Sequence, residues 1–410
     1  MDKTTFTNLF TPFDRDNAAP KYRALRQSGR ERLGSLAWPT TRCEDWRFTS
    51  VAPIVETTFA LPVKCDDLKL PAATNTLRLV FVNGRFAKAL SAPIAAGLQV
   101  GSLADAGANV ALLAQIAADK DNAFTAMNTS FLCDGAYVVI SDGQVVEQPI
   151  EIVYLSRSTD KPIVSHPRTL IVVGKNAQAT VVERYQGDGA YFTNAVTEIS
   201  LAEGAVLDHV KLQQESLQAY HIANTQIVQG ARSTFTSHYL SLGGALVRNE
   251  VRVRFDGEHA ESTVNGLYLA SGKQHMDNFT VIDHAQPNCA SHELYKGILD
   301  ERAHGVFNGK IFVRKDAQKT DAKQTNKVLL LSDDATINTK PQLEIFADDV
   351  KCTHGATIGQ LDATQLFYLQ SRGIPLDAAR RLLTFAFAND VVNRVKIEAI
   401  RAELEERIVR

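Results

Sequence analysis

The chain has 410 residues, 45% of them hydrophobic, and a formal net charge of −2 from 44 basic and 46 acidic side chains. That balance leaves no electrostatic footprint for nucleic acid, and no apolar run approaches the ~20 residues a membrane span needs. Length alone suggests two or three domains, unless the chain is built from repeats.

The N-terminal stretch MDKTTFTNLFTPFDRDNAAP lacks the apolar core of a secretory signal, and its acidic residues disfavour a transit peptide. Residues 1–75 read as an N-terminal helical domain. PKYRALRQSGRERLGSL has helical apolar spacing with Pro20 near its start, and PTTRCEDWRFTS, with Trp46 and Phe48, reads as an ordered connector.

From residue 76 to 354 the texture is that of a β core. LRLVFVNGRF, AYVVISDGQVV, IEIVYLS, TLIVVGK, VRVRFDG and LEIFADD are short, β-branched, alternating segments bounded by Gly, Asn and Asp. The Ala-rich DAGANVALLAQIAAD, residues 105–119, is the one stretch that invites a helix. The strands also repeat weakly. NAQATVVERY, EGAVLDHVKL, GARSTFTSHY, HAESTVNGLY and RAHGVFNGKI align on the small residues Ala177, Gly204, Ala231, Ala260 and Ala303. Their spacing is 27, 27, 29 and 43 residues, the last gap leaving room for an inserted loop or a missed turn. A period near 27 with polar turns suits a solenoid of short strands; a β-sandwich also accommodates irregular strand spacing.

Residues 355–410 read as a C-terminal helical domain. Asp362 is placed to cap a helix carrying Leu366, Phe367 and Leu369 at helical spacing, and Gly373 ends it. A second helix follows Pro375, and the last is VVNRVKIEAIRAELEERIVR, with Glu398 and Glu405 on its wet face.

Several chemistries are missing. The chain has no GxxxxGK[ST] and no GxSxG, so neither ATP hydrolysis nor a hydrolase elbow is expected. HELYK (292–296) has Lys296 where a zincin helix needs its second histidine. A β-solenoid acting on polysaccharide is the alternative reading, and it requires carboxylates converging on one groove. The candidates Asp333-Asp334 and Asp348-Asp349 fall between strands, where Asp favours turns. KDAQKTDAKQTNK (315–327) reads as a solvated strand face and turn.

The five cysteines, Cys43, Cys65, Cys133, Cys289 and Cys352, are scattered and never spaced CxxC, which suits a reducing cytoplasm, the expected location. VKCTHG carries a thiol and an imidazole two residues apart; on a strand they project from one face. Both are ligands for iron and zinc, yet an iron–sulfur cluster needs about four protein ligands. A metal site at Cys352 and His354 is therefore expected to be incomplete, finished by distant residues or by another subunit.

KCTHGATIGQLDATQLFYLQSRGIPLDAARRLLTFAFANDVV resembles the C-terminal signature of the SufB/SufD family, scaffold subunits of the SUF iron–sulfur cluster assembly machine. K-D-A-x-x-T-D-A-x-Q-x-N-x-x-L-L-L-S at 315–332, KPQLEIFADD, and the S-R-G-I-P turn carry the same resemblance, and PTTRCEDWRFTS is similar to a segment of the SufD branch. The resemblance implies a right-handed parallel β-helix flanked by helical domains. It implies a non-catalytic scaffold in a complex with SufB and the ATPase SufC, with a homodimer possible in isolation and no nucleic acid or membrane partner. By the same likeness, a nascent cluster is held transiently at a SufB–SufD interface, with none bound stably by this chain alone. The histidine of C-x-H-G maps onto His354 as a ligand and Cys352 onto a weaker one; Leu366, Phe367, Leu369, Gly373 and Pro375 fall on the surface that docks the ATPase.

Overall fold

The computed structural model describes residues 2–17, 20–63, 77–92, 97–107, 110–117, 121–158 and 160–409. Cys65 and parts of the 105–119 segment lie outside the described residues.

Strands dominate, and they wind. One sheet, here sheet I, runs β2 (Arg85–Phe86), β1 (Leu77–Val82), β5 (Ile150–Arg157), β8 (Gln178–Asp188), β10 (Val206–Gln214), β12 (Thr234–Ser241), β14 (Glu261–Ala270), β16 (Ala290–Leu299), β18 (Thr320–Leu330) and β20 (Val350–Gly359). Sheet II runs β3 (Gln99–Ser102), β4 (Ala136–Ile140), β7 (Arg168–Val173), β9 (Tyr191–Leu201), β11 (Tyr220–Gln229), β13 (Leu246–Phe255), β15 (His275–His284), β17 (His304–Val313) and β19 (Thr336–Ile345), with β6 (Ile163–Ser165) beside β9. Successive strands alternate between the sheets, so the chain is a two-sheet β-solenoid of about eight turns. Its long pairings are all parallel; β1–β2 and β3–β4 are antiparallel.

The repeat is real, but its register differs from the one read in the sequence. Ala177 precedes Gln178, which pairs with Val206, so the inward small residue equivalent to Ala177 is Ala205 rather than Gly204. Gly204 sits in the turn at φ +67, where a left-handed backbone favours glycine. The gap of 43 residues is neither an insertion nor a skipped turn alone. Ala260 stacks under Cys289 in sheet I, whereas Ala303 leads into β17 of sheet II, half a turn further on.

Inward side chains from both sheets meet in one apolar column that includes Val181, Leu207, Phe235, Val264, Ile282 and Ile311, all buried. A parallel sheet buried on both faces needs cover outside as well. Over sheet II lie α1 (Thr4–Thr7), α2 (Phe10–Asp16), α3 (Arg23–Ser35), α4 (Ala52–Val55) and α5 (Ala123–Ser130); Phe6, Trp38, Trp46 and Phe124 pack there on Phe192, Ile222 and Leu246. Over sheet I lie α7 (Leu376–Val392) and α8 (Glu398–Val409), whose Ala388, Val391, Ile400 and Leu404 pack on Val210, Leu240, Leu267 and Ile298.

No α-helix forms in the described residues of the 105–119 segment, 105–107 and 110–117, which run through turns and bends; a helix forms instead at α5. The cause is a competing acceptor. The buried carboxylate of Glu198 takes the N–H groups of Ala114, Ile116 and Ala117 at 2.8–3.0 Å, bonds that a helix would direct to carbonyls four residues back. Glu198 is itself paired with the fully buried Arg168 at 2.5 Å, and Arg168 reaches Asn128 of α5. The connector 39–50 docks in a similar way: Trp46 stacks 3.8 Å from the Arg248 guanidinium, and Thr49 donates to Asp277.

Candidate functional site: the open end of the solenoid

The two ends of the solenoid are built differently. At the first turns the edges are short antiparallel strands, β2 and β3, tied in by Asp134, which accepts from Phe86 N–H and the Ser102 hydroxyl. At the last turn β20 ends sheet I and β19 ends sheet II, and among the described residues neither has a further strand beyond it.

Cys352 and His354 lie on β20. Its register against β18 pairs Cys352 with Ala322 and His354 with Gln324. Cys352 packs against the inner column, which fixes the inward face of the strand, and His354, two residues on, shares that face. Because no turn follows, His354 is exposed while its counterparts one and two turns deeper, Gln324 and Glu293, are buried. The open mouth thus presents Cys352, His354 and Ala356 opposite the β19 residues Thr339 and Leu343. Burial raises the Cys352 thiol above its usual range, so it is less readily a thiolate than an exposed cysteine. Among the described residues no three His, Cys, Asp or Glu side chains come together in a way that could hold a metal ion.

The segment 315–327, expected to be a solvated face, divides by alternation. Lys323 and Lys327 are exposed, but Gln324 and Asn326 are 1% exposed inside the solenoid. The apolar Ala322 and Val328 on the same alternation were the available signal that these polar residues face inward. Gln324 donates its amide N–H to Glu293 Oε2 at 2.7 Å. Burial holds the Glu293 carboxyl up to about 7 against that bond.

The second expected surface is α6 (Ala363–Ser371). Asp362 caps it through Thr364 and Gln365 N–H, and Gly373 closes it at φ +85 before Pro375 starts α7. No residue of α6 is buried; Phe367 is 72% and Tyr368 62% exposed, with Leu376 and Leu382 of α7 also bare. Leu366 and Leu369 are half-buried, and Leu366 lines a cleft with Leu331, Leu361 and Arg380.

A groove of about 710 Å³ beside Trp38 and Trp46 is lined by Glu44, Asp45, Asp121 and Glu250. Its two glutamates do not make a glycosidase pair. Glu250 is bound to Arg248 and Asn122, and Glu44 to Lys340, which holds its carboxyl below the usual range rather than above it as a general acid requires. The two carboxyls that burial raises, Asp134 and Glu293, lie elsewhere. Asp333, Asp334, Asp348 and Asp349 sit in exposed turns. HELYK lies on β16, not on a helix, and its Lys296 is buried against Asp390 of α7 at 2.7 Å.

Fold and end together define a class: a two-sheet β-solenoid between helical flanks, uncovered at the turn that carries a thiol and an imidazole. Two family models match it, the SufBD core domain of the SUF system for FeS cluster assembly over residues 154–387 and the SufBD protein N-terminal region over 3–152. A SufBD family iron–sulfur cluster assembly protein of Synechocystis is 35% identical over 404 residues, covering 93% of this chain and 89% of its own length. The iron–sulfur cluster assembly protein SufD of Escherichia coli is 32% identical over 382 residues, covering 90% and 88%. The chain belongs to the SufBD family of the SUF iron–sulfur cluster assembly system.

Proposed function

We propose that this chain is the SufD-type, non-catalytic scaffold of a cytoplasmic SUF complex and that it contributes one side of a nascent-cluster site at its open end. The observation that carries the reading is His354: an imidazole on the inward face of the last strand, exposed because no turn covers it. Strand edges left bare at β19 and β20 invite pairing with another chain, and a SufB-type subunit is the partner this reading assigns. The cluster is cargo. His354 is its ligand from this side, and Cys352, whose thiol is partly buried, has a lesser part. The bare face of α6, with Leu366, Phe367 and Leu369 and the Gly373–Pro375 turn, is the docking surface for the SufC-type ATPase.

The test is reconstitution of the complex with His354→Ala. The complex should assemble and melt as the unsubstituted one does, while iron and sulfide retained per complex fall by about tenfold or more. Unchanged retention would remove the ligand role from His354. Cys352→Ser should cost less.

A further inference from the structure

Beneath His354 the solenoid holds a polar column that the scaffold reading does not use. β16, β18 and β20 are parallel and in register, so Glu293, Gln324 and His354 stack on successive turns of the inward face. Glu293 and Gln324 are 3% and 1% exposed. When Glu293 is ionised, the bond from Gln324 Nε2 fixes which way the amide points, because a carboxylate accepts only from the NH₂ side. The other end of the amide, Gln324 Oε1, is buried and has no partner, a state that costs free energy unless a donor arrives. The facing wall is shaped to this amide: a Cβ at Gly309 of β17 would collide with Gln324 Nε2.

On the next strand the register partner of Gln324 is His354, its backbone one strand spacing, ~4.8 Å, away and its imidazole able to donate. A neutral imidazole has one N–H, and a histidine that binds a metal through one nitrogen usually donates the other N–H to an oxygen that fixes its tautomer. We propose that Gln324, held by Glu293, is the positioning residue for His354: its side-chain carbonyl accepts one imidazole N–H and leaves the second ring nitrogen free to face outward. This rests on the reading of His354 as a cluster ligand and adds how the ring is presented.

The experiment reads the ring directly, without iron. The full-length chain is labelled with ¹⁵N-histidine, and the His354 ring signals are assigned by their loss in His354→Ala. In the unsubstituted chain His354 is a single tautomer. In Gln324→Leu, checked for folding by circular dichroism, it becomes the mixture of free histidine, a change of severalfold in the tautomer ratio. Glu293→Gln can donate as well as accept, so it no longer fixes the Gln324 amide, and the tautomer ratio should move toward that of Gln324→Leu. If Gln324→Leu does not fold, Glu293→Met releases the amide and should mix the tautomers in its place. Ring-nitrogen shifts of His354 that are the same in the unsubstituted chain and in the folded variant overturn the proposal. Since cluster retention in His354→Ala is a separate measurement, the ligand role and the positioning role can fail independently.

Discussion

The first and last turns of the solenoid carry the same kind of strand and end in opposite ways. At the first turns, short antiparallel strands and the carboxylate of Asp134 satisfy the edge, and the inward residues Leu79, Phe81 and Ile152 are fully covered. At the last turn, β20 leaves residues 353–359 exposed along most of its length. The physical requirement to protect strand edges is the same at both ends, so the difference marks the end that the chain itself seals and the end that it leaves bare.

Inward substitutions should diverge most between the covered column and the open mouth. Val264→Asp places a charge in the sealed column and should cost more than about 4 kcal/mol, seen as loss of the cooperative melt. Ala356→Asp, inward but in the open mouth, should stay within ~0.5 kcal/mol of the parent while abolishing co-purification with a SufB-type partner. A large loss of stability from Ala356→Asp would break the comparison. The helical tail offers a smaller contrast. Leu404→Ala, fully buried on sheet I, should cost about 2–5 kcal/mol. Phe367→Ala should leave the melt unchanged but release the ATPase subunit, checked by pull-down.

Two pH effects of opposite sign follow. Burial pushes His238 down to about 4, whereas the unfolded chain takes up its proton near 6.5. Its contribution is complete above pH 6.5 and lost as pH falls toward 4, on the order of 1–3 kcal/mol; His238→Asn should flatten that limb of a melt-versus-pH series. Glu293 is raised to about 7 from an unfolded 4.5. Its neutral form stabilises below pH 4.5, and the contribution disappears as pH rises through 7, so Glu293→Gln should gain relative to the parent at pH 8. The bond from Gln324 favours the carboxylate, and burial outweighs it.

The sequence made the repeat visible because each turn of chain needs small residues at the bend. Aligning on the turn glycine, Gly204, puts the register one residue off, because the residue that stacks in the column is Ala205. Residues 110–117 form no helix because a distant carboxylate, Glu198, outbid local alanine propensity, and nothing within that segment announces Glu198. At the candidate site, Cys352 and His354 were legible because both fall on one strand with period two. Gln324 was hidden because a polar stretch flanked by lysines looks solvated, and only the apolar Ala322 and Val328 on its own alternation argue otherwise.

The tail crosses sheet I against the direction in which the turns accumulate. Arg380 meets Leu331 just past β18, Asp390 meets Lys296 on β16, Arg394 meets Asn265 on β14, Lys396 meets Asp208 on β10, and Glu403 meets Arg184 on β8. Stacked repeats ordinarily know only their neighbours and fray from a bare terminus. A strap laced across five rungs ties the strand next to the bare end, β18, to strands deep in the stack, so that end cannot peel away one rung at a time.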